Sequence, residues 1–222
     1  MIKVVLIDLD DTILDFKACS HDSIKKAKEE LNIKLPDDFY DSFDKYNPTL
    51  WEKVEKGLLK TSTLFEIRFK ELFKINNIDG DYNLFEDTFR KHLKESHVLL
   101  PYAKELLEYL HTKYKVYGAS NSSTAKEKRL KLAGVYNYFD GLFVSEKVGY
   151  QKPQKEFFLH VLKELNVTKD EVIMIGDSLT SDIIGAYNLG IRSIWFNKDN
   201  IKKDDPIIDL EVKRLEDIKK YI

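Results

Sequence analysis

The chain has 222 residues, 43% of them hydrophobic, with 36 Lys and Arg against 38 Asp and Glu, a formal net charge of -2. That length holds one domain of ordinary size plus an insertion, and the apolar fraction is enough for a core. Near-balanced charge, with no Lys/Arg cluster interleaved with aromatics, argues against a nucleic-acid polymer or a polybasic membrane patch and leaves a small molecule as partner. One cysteine, Cys19, cannot form an intramolecular disulfide, so nothing asks for an oxidising compartment. With no signal-like start and no run near the ~20 apolar residues that span a bilayer, the expectation is a cytoplasmic monomer or homodimer.

In chain order, the run Val4, Val5, Leu6, Ile7 leads directly into Asp8, Asp10, Asp11 and Thr12. An unbroken apolar run suits a parallel strand covered on both faces, and open α/β sheets carry their chemistry beyond the carboxyl ends of such strands. Asp8 and Asp10, two apart in an extended chain, point to the same side. Two carboxylates that close repel and call for a cation. From Ile13 to about Ser96 the strand character gives way to amphipathic helical patterns, predicted to form an inserted cap. Ile24, Ala27 and Leu31 recur behind a polar start at Ser20, and Pro36 opens a second helix. A short helix over 48–56 surrounds Trp51, and two more cover 61–75 and 84–93. The predicted boundaries are a core domain of 1–14 and 98–222 and a cap of 15–97, with hinges near 14–17 and 96–100.

Strand and helix then alternate: helix 101–113, strand 115–119, helix 123–132, strand 142–144, and helix 154–165 with Pro153 in its first turn. Strand 172–175, helix 181–189 and strand 193–196 follow, with a tail strand near 207–210 and a helix from Arg214. This βαβ order predicts an α/β fold, a doubly wound parallel, Rossmann-like sheet with an inserted α-helical cap. Three further apolar stretches end in groups that suit phosphate and Mg²⁺. They are 116–119 into Ser120 and Asn121, Val148 and Gly149 into Lys152, and 172–175 into Gly176 and Asp177 with Asp182 beyond. Singly, each cluster has a plainer reading as an acidic loop, a surface lysine or a helix cap. Their joint order carries the argument.

DLDDT, SNS, KP and GDSLTSD, in this order, resemble the four motifs of the haloacid dehalogenase superfamily, and the resemblance spans nearly the whole chain. It implies that Asp8 is a nucleophile forming an aspartyl-phosphate, while Asp10 protonates the leaving oxygen and later activates water. Hard oxygen ligands and the expected phosphate point to Mg²⁺ held by Asp8, Asp177 and the backbone carbonyl of Asp10. Ser120 and Asn121 would donate to the phosphoryl oxygens and Lys152 would add its charge, with Asp182 holding metal-bound waters or Lys152 from behind. An acid at Asp10 is what the superfamily's phosphatases and mutases carry and its dehalogenases lack. A cap between the first and second motifs implies a small soluble phosphomonoester.

Within that superfamily, NPTLWEKVEKG followed by Phe65, Arg68 and Phe69, together with VSEKVGYQKPQKEFF and GDSLTSDIIGAYNLGIRSIWFN, resemble the pyrimidine 5′-nucleotidases that discard modified nucleoside monophosphates. Ser122, where that subgroup would carry glycine, is a departure. On this resemblance Trp51 and Arg68 are the preferred substrate contacts. The same four clusters would serve a sugar-phosphate or phosphoglycolate-type phosphatase or a phosphomutase. From a different class, the chain would be a catalytically silent binding module. Retention of Asp8, Asp10, Lys152 and Asp177 speaks against that, because a buried acid cluster without a metal costs stability.

Overall fold

The apolar run at the N-terminus forms strand β1 (Val4–Ile7), every residue of it buried. In the computed structural model, which describes residues 1–122 and 125–222, β1 lies at the centre of a six-stranded, wholly parallel sheet of order β3-β2-β1-β4-β5-β6. The chain divides into two compact units, one of residues 1–15 and 97–222 and one of residues 16–96.

The second unit contains helices α1 (Phe16–Glu30), α2 (Phe39–Glu55), α3 (Thr61–Ile75) and α4 (Tyr82–Leu93). Its interior is a phenylalanine cluster in which the ring of Phe69 meets those of Phe85 and Phe89 edge to face, at 4.8 and 5.1 Å, a geometry that suits the ring quadrupoles. Two helices were expected on either side of residue 48, but α2 runs through Pro48. An interior proline costs about 3 kcal/mol. Here Phe39 and Phe43 before it and Leu50 and Val54 after it are all buried, so packing on both sides holds the helix together. Trp51 is half-buried beside Leu50, Val54 and Leu64.

Arg68, expected with Trp51 at the substrate, belongs instead to the interior of this unit. It is 2% exposed. Its Nε and Nη2 donate to the two oxygens of Glu86 at 3.0 and 2.6 Å, and Nη1 donates to Asn47 at 3.1 Å. The guanidinium also lies 4.8 Å from the Phe89 ring centre. A buried arginine is tolerated only when its donors are matched in this way, and the match takes up the fork that would have met a base or a phosphate.

The first unit continues with α5 (Ala103–His111), β2 (Lys115–Ser120), α6 (Ala125–Leu132), β3 (Gly141–Val144), the single turn α7 (Ser145–Val148) and α8 (Lys155–Glu164). The chain then runs through β4 (Val172–Gly176), a wide turn over Leu179–Ile183, α9 (Ile184–Tyr187), β5 (Arg192–Phe196), β6 (Glu211–Val212) and a closing 3₁₀ segment, Leu215–Lys220. Alternate residues of β1 serve opposite faces, as a strand requires: Val5 and Ile7 pack with Leu106, Leu107 and Leu110 of α5, Val4 and Leu6 with Phe157, Phe158 and Val161 of α8. Burying each such side chain contributes about 1.5–3 kcal/mol.

Several expected bounds move. Val148 does not end a strand: it closes α7, and Gly149 follows at φ +81°, so Lys152 stands on the loop between α7 and α8. Helix α8 begins at Lys155, after a cis Lys152–Pro153 peptide. The start expected at Ser123 for α6 lies outside the described residues. The tail strand is the two-residue β6, because Trp195 and Phe196 of β5 pair with Glu211 and Val212.

Candidate active site

The three central strands bring the sequence-predicted residues together. Asp8 follows β1, and its backbone N–H still donates to the Ile175 carbonyl of β4 at 2.8 Å. Ser120 is the last residue of β2, and Asp177 follows β4. Lys152 is 1% exposed and its ammonium donates three bonds of 2.6 Å, to Asp8 Oδ1, Asp182 Oδ1 and the Ala119 carbonyl. Three donors and three acceptors leave this buried cation fully matched. Its backbone is fixed in turn by Asn121, whose amide nitrogen donates to the Lys152 carbonyl (2.7 Å) and whose oxygen accepts from the Lys152 N–H (2.8 Å). Asn121, expected to face a phosphoryl group, thus spends its oxygen and at least one amide hydrogen on placing Lys152. Ser122 donates to the Ser120 hydroxyl at 3.0 Å.

Asp182 is wholly buried, and its Oδ2 accepts from the Ser178 N–H at 3.2 Å. Its carboxylate lies against Gly176 so closely that a Cβ there would overlap it. The glycine in GDSLTSD therefore makes room for the aspartate six residues on.

One oxygen each of Asp8, Asp177 and Asp182 lie within 4.8 Å of one another. Burial raises the Asp8 carboxyl to about 7, with repulsion from Asp182 and Asp10 adding to it and Lys152 opposing. Burial, then Asp8, Asp11 and Asp182, push Asp177 well above the ordinary carboxylate range. Hard oxygen donors, in negative excess and only partly offset by Lys152, fit a small divalent cation. Because Asp182 is held by Lys152 and Ser178, Asp8 and Asp177 are the better placed ligands. The side chain of Asp10, the third predicted ligand, points to other partners, so only its backbone carbonyl remains for that role.

Those partners escaped the sequence reading. Lys126 and Arg129 of α6 bind the two Asp10 oxygens separately, Lys126 on Oδ2 and Arg129 on Oδ1 at 2.9 Å. Burial alone would raise the Asp10 carboxyl, but these cations outweigh it and hold it at about 2. The available signal was helical spacing: in the charged run KEKRLK, Leu130 marks the buried face, and Lys126 lies one turn before it. Three supports of Asp177 and Asp11 were also missed. The Trp195 indole donates to the Asp177 carbonyl at 2.8 Å, Thr12 donates to Asp177 Oδ1 at 3.3 Å, and Lys198 lies 3.4 Å from Asp11.

Comparison with known proteins agrees with this geometry. Residues 2–190 match the family described as haloacid dehalogenase-like hydrolase. The chain is 34% identical over 220 residues to the HAD-hydrolase YfnB of Bacillus subtilis, covering 97% of this chain and 93% of that protein. It is 31% identical to the pyrimidine 5′-nucleotidase PynA of Streptococcus pneumoniae, over 90% of this chain and 86% of that one. It is 28% identical to a glyceraldehyde 3-phosphate phosphatase of Pyrococcus furiosus, over 97% and 88%. A crystal structure of YfnB, described as bound to magnesium and as revealing interdomain movement, superposes with a TM-score of 0.91 over 99% of this chain and 97% of that one, at 32% identity. The chain belongs to the haloacid dehalogenase-like hydrolases.

Proposed function

We propose that the chain is a Mg²⁺-dependent phosphatase for small phosphomonoesters, acting on pyrimidine nucleoside 5′-monophosphates. The observation that carries the reading is the buried Asp8–Lys152–Asp182 chain beside Asp177, with a second carboxylate, Asp10, two residues after the first. Asp8 attacks phosphorus through its free oxygen, a P–O(Asp8) bond forms, and the ester P–O bond breaks. Asp10 supplies the proton that the departing alkoxide needs, the one it has taken from water in the hydrolytic half of the preceding turnover. Water then bonds to phosphorus as Asp10 takes its proton, and the P–O(Asp8) bond breaks to release phosphate and restore the carboxylate. Lys152 holds Asp8 and steadies the phosphoryl charge, and Ser120 donates to a phosphoryl oxygen. Mg²⁺, held by Asp8 and Asp177 with the Asp10 carbonyl, would neutralise the charge gathered between carboxylates and phosphate.

The pyrimidine assignment rests on likeness to PynA and on the residues around Trp51, and we assign base selection to the helical insertion as a cap. The likeness to the glyceraldehyde 3-phosphate phosphatase favours a second reading, a sugar-phosphate substrate at the same site. Phosphate release from dUMP, dTMP and UMP, set beside purine monophosphates, glyceraldehyde 3-phosphate and phosphoglycolate, decides between them. Pyrimidine preference, reduced by Trp51→Ala on nucleotides but not on a small aryl phosphate, supports the first reading. Preference for a triose or glycolate phosphate overturns the substrate and keeps the chemistry.

A further inference from the structure

Helix α6 carries five basic or acidic side chains in eight residues, yet it buries only two of them, Lys126 at 6% exposure and Arg129 at 2%. Lys128 and Lys131 of the same helix are exposed. The buried pair, three residues apart and so on one helix face, both end on Asp10, one cation to each oxygen. Burying cations is costly, and an apolar pair would tie a helix to a loop at least as well. Two cations on separate oxygens do what an apolar contact cannot. They fix the plane of the carboxylate and deny it other rotamers although its side chain is 30% exposed.

We propose that Lys126 and Arg129 are positioning residues for the hydrolytic half of the reaction, holding Asp10 as the base that takes a proton from water. This rests on the phosphatase reading above. In that half-reaction the water oxygen bonds to phosphorus, its proton passes to Asp10, and the P–O(Asp8) bond breaks. The first half, with a leaving group that needs no proton, does not use the clamp. Loss of the clamp therefore slows breakdown of the phospho-enzyme while leaving its formation from p-nitrophenyl phosphate intact.

The test is rapid mixing of the full chain, with Mg²⁺, against p-nitrophenyl phosphate, with acid quenching and intact-mass measurement of the phosphorylated chain. Lys126→Met is expected to give a nitrophenolate burst of about one per chain, a steady rate lower by about tenfold or more, and accumulated phospho-enzyme. Lys126→Arg, which restores a cation, should recover most of the steady rate. In an Asp10→Asn background Lys126→Met should add little, because the interaction it serves is already gone. Should Lys126→Met fail to fold, Arg129→Lys, which keeps the charge but gives up the planar fork, carries the same burst measurement. Equal slowing of burst and steady phases, or a lowered melting temperature with unchanged kinetics, would reduce the pair to a tie between α6 and the Asp10 loop and overturn the proposal. A wild-type chain with neither burst nor phosphate release would instead overturn the phosphatase reading itself.

Discussion

Asp8 is held between opposing demands: burial beside two other aspartates favours its neutral form, while Lys152, and the nucleophile's role proposed for it, favour the carboxylate. With its carboxyl raised to about 7, the folded chain keeps a proton that the unfolded chain has already released above the ordinary value of 3.8. Without metal, this group therefore lowers stability as pH rises from there through about 7. A divalent cation competes with that proton, so the rise in melting temperature on adding Mg²⁺ should grow across the same window. Melting curves of wild type and Asp8→Asn, with Mg²⁺ or with a chelator, check this; the substitution should flatten the metal-free pH slope, and an unchanged slope would remove Asp8 as its cause. Gly176 offers a second residue-level test. Gly176→Ala places a methyl group where the Asp182 carboxylate lies, so either the β4 loop or the Lys152 partner must shift. Overpacking of this kind costs about 1–3 kcal/mol, and the expected result is a lower midpoint in urea together with loss of phosphate release. Full activity would mean that Asp182 can move without disturbing Lys152.

Among the elements, strands were the most legible and the loops that carry long-range partners the least. β1 and β4 could be read because an unbroken apolar run ending in aspartate has one natural home, the covered middle of a parallel sheet. Lys152 could be named from sequence, but the loop that carries it could not be placed. Its position depends on Asn121, thirty-one residues earlier, which bonds both sides of its backbone. Lys126 and Arg129 were hidden in a run of charges, since a sequence does not show that a carboxylate 116 residues away turns one helix face inward. Arg68 was misread for the same reason: its partner Glu86 lies on α4. That pair ties α3 to α4, and removing one member leaves the other buried and unmatched. Arg68→Ala or Glu86→Ala should therefore cost about 3–5 kcal/mol, whereas Arg68→Met with Glu86→Leu should cost far less. Denaturant midpoints of the three variants measure this, and single substitutions as mild as the double would contradict the structural assignment of Arg68.

At the scale of the molecule, the fold class followed from βαβ order, and the chain's two compact units divide at residues 15/16 and 96/97. The site's four aspartates and Lys152 all belong to the first unit, and each sits where a strand end or a fixed loop of that unit puts it. Among the described residues, no helix is long and apolar enough to cross a membrane. The proposed function stands on the attack of Asp8 on phosphorus. Phosphate release by the purified chain from UMP and from p-nitrophenyl phosphate, with Mg²⁺ and with a chelator, compared with Asp8→Asn, tests it most directly. The expected result is turnover by the wild type that needs Mg²⁺ and falls to background in a folded Asp8→Asn variant; a variant that keeps its activity would remove Asp8 from the nucleophile's role.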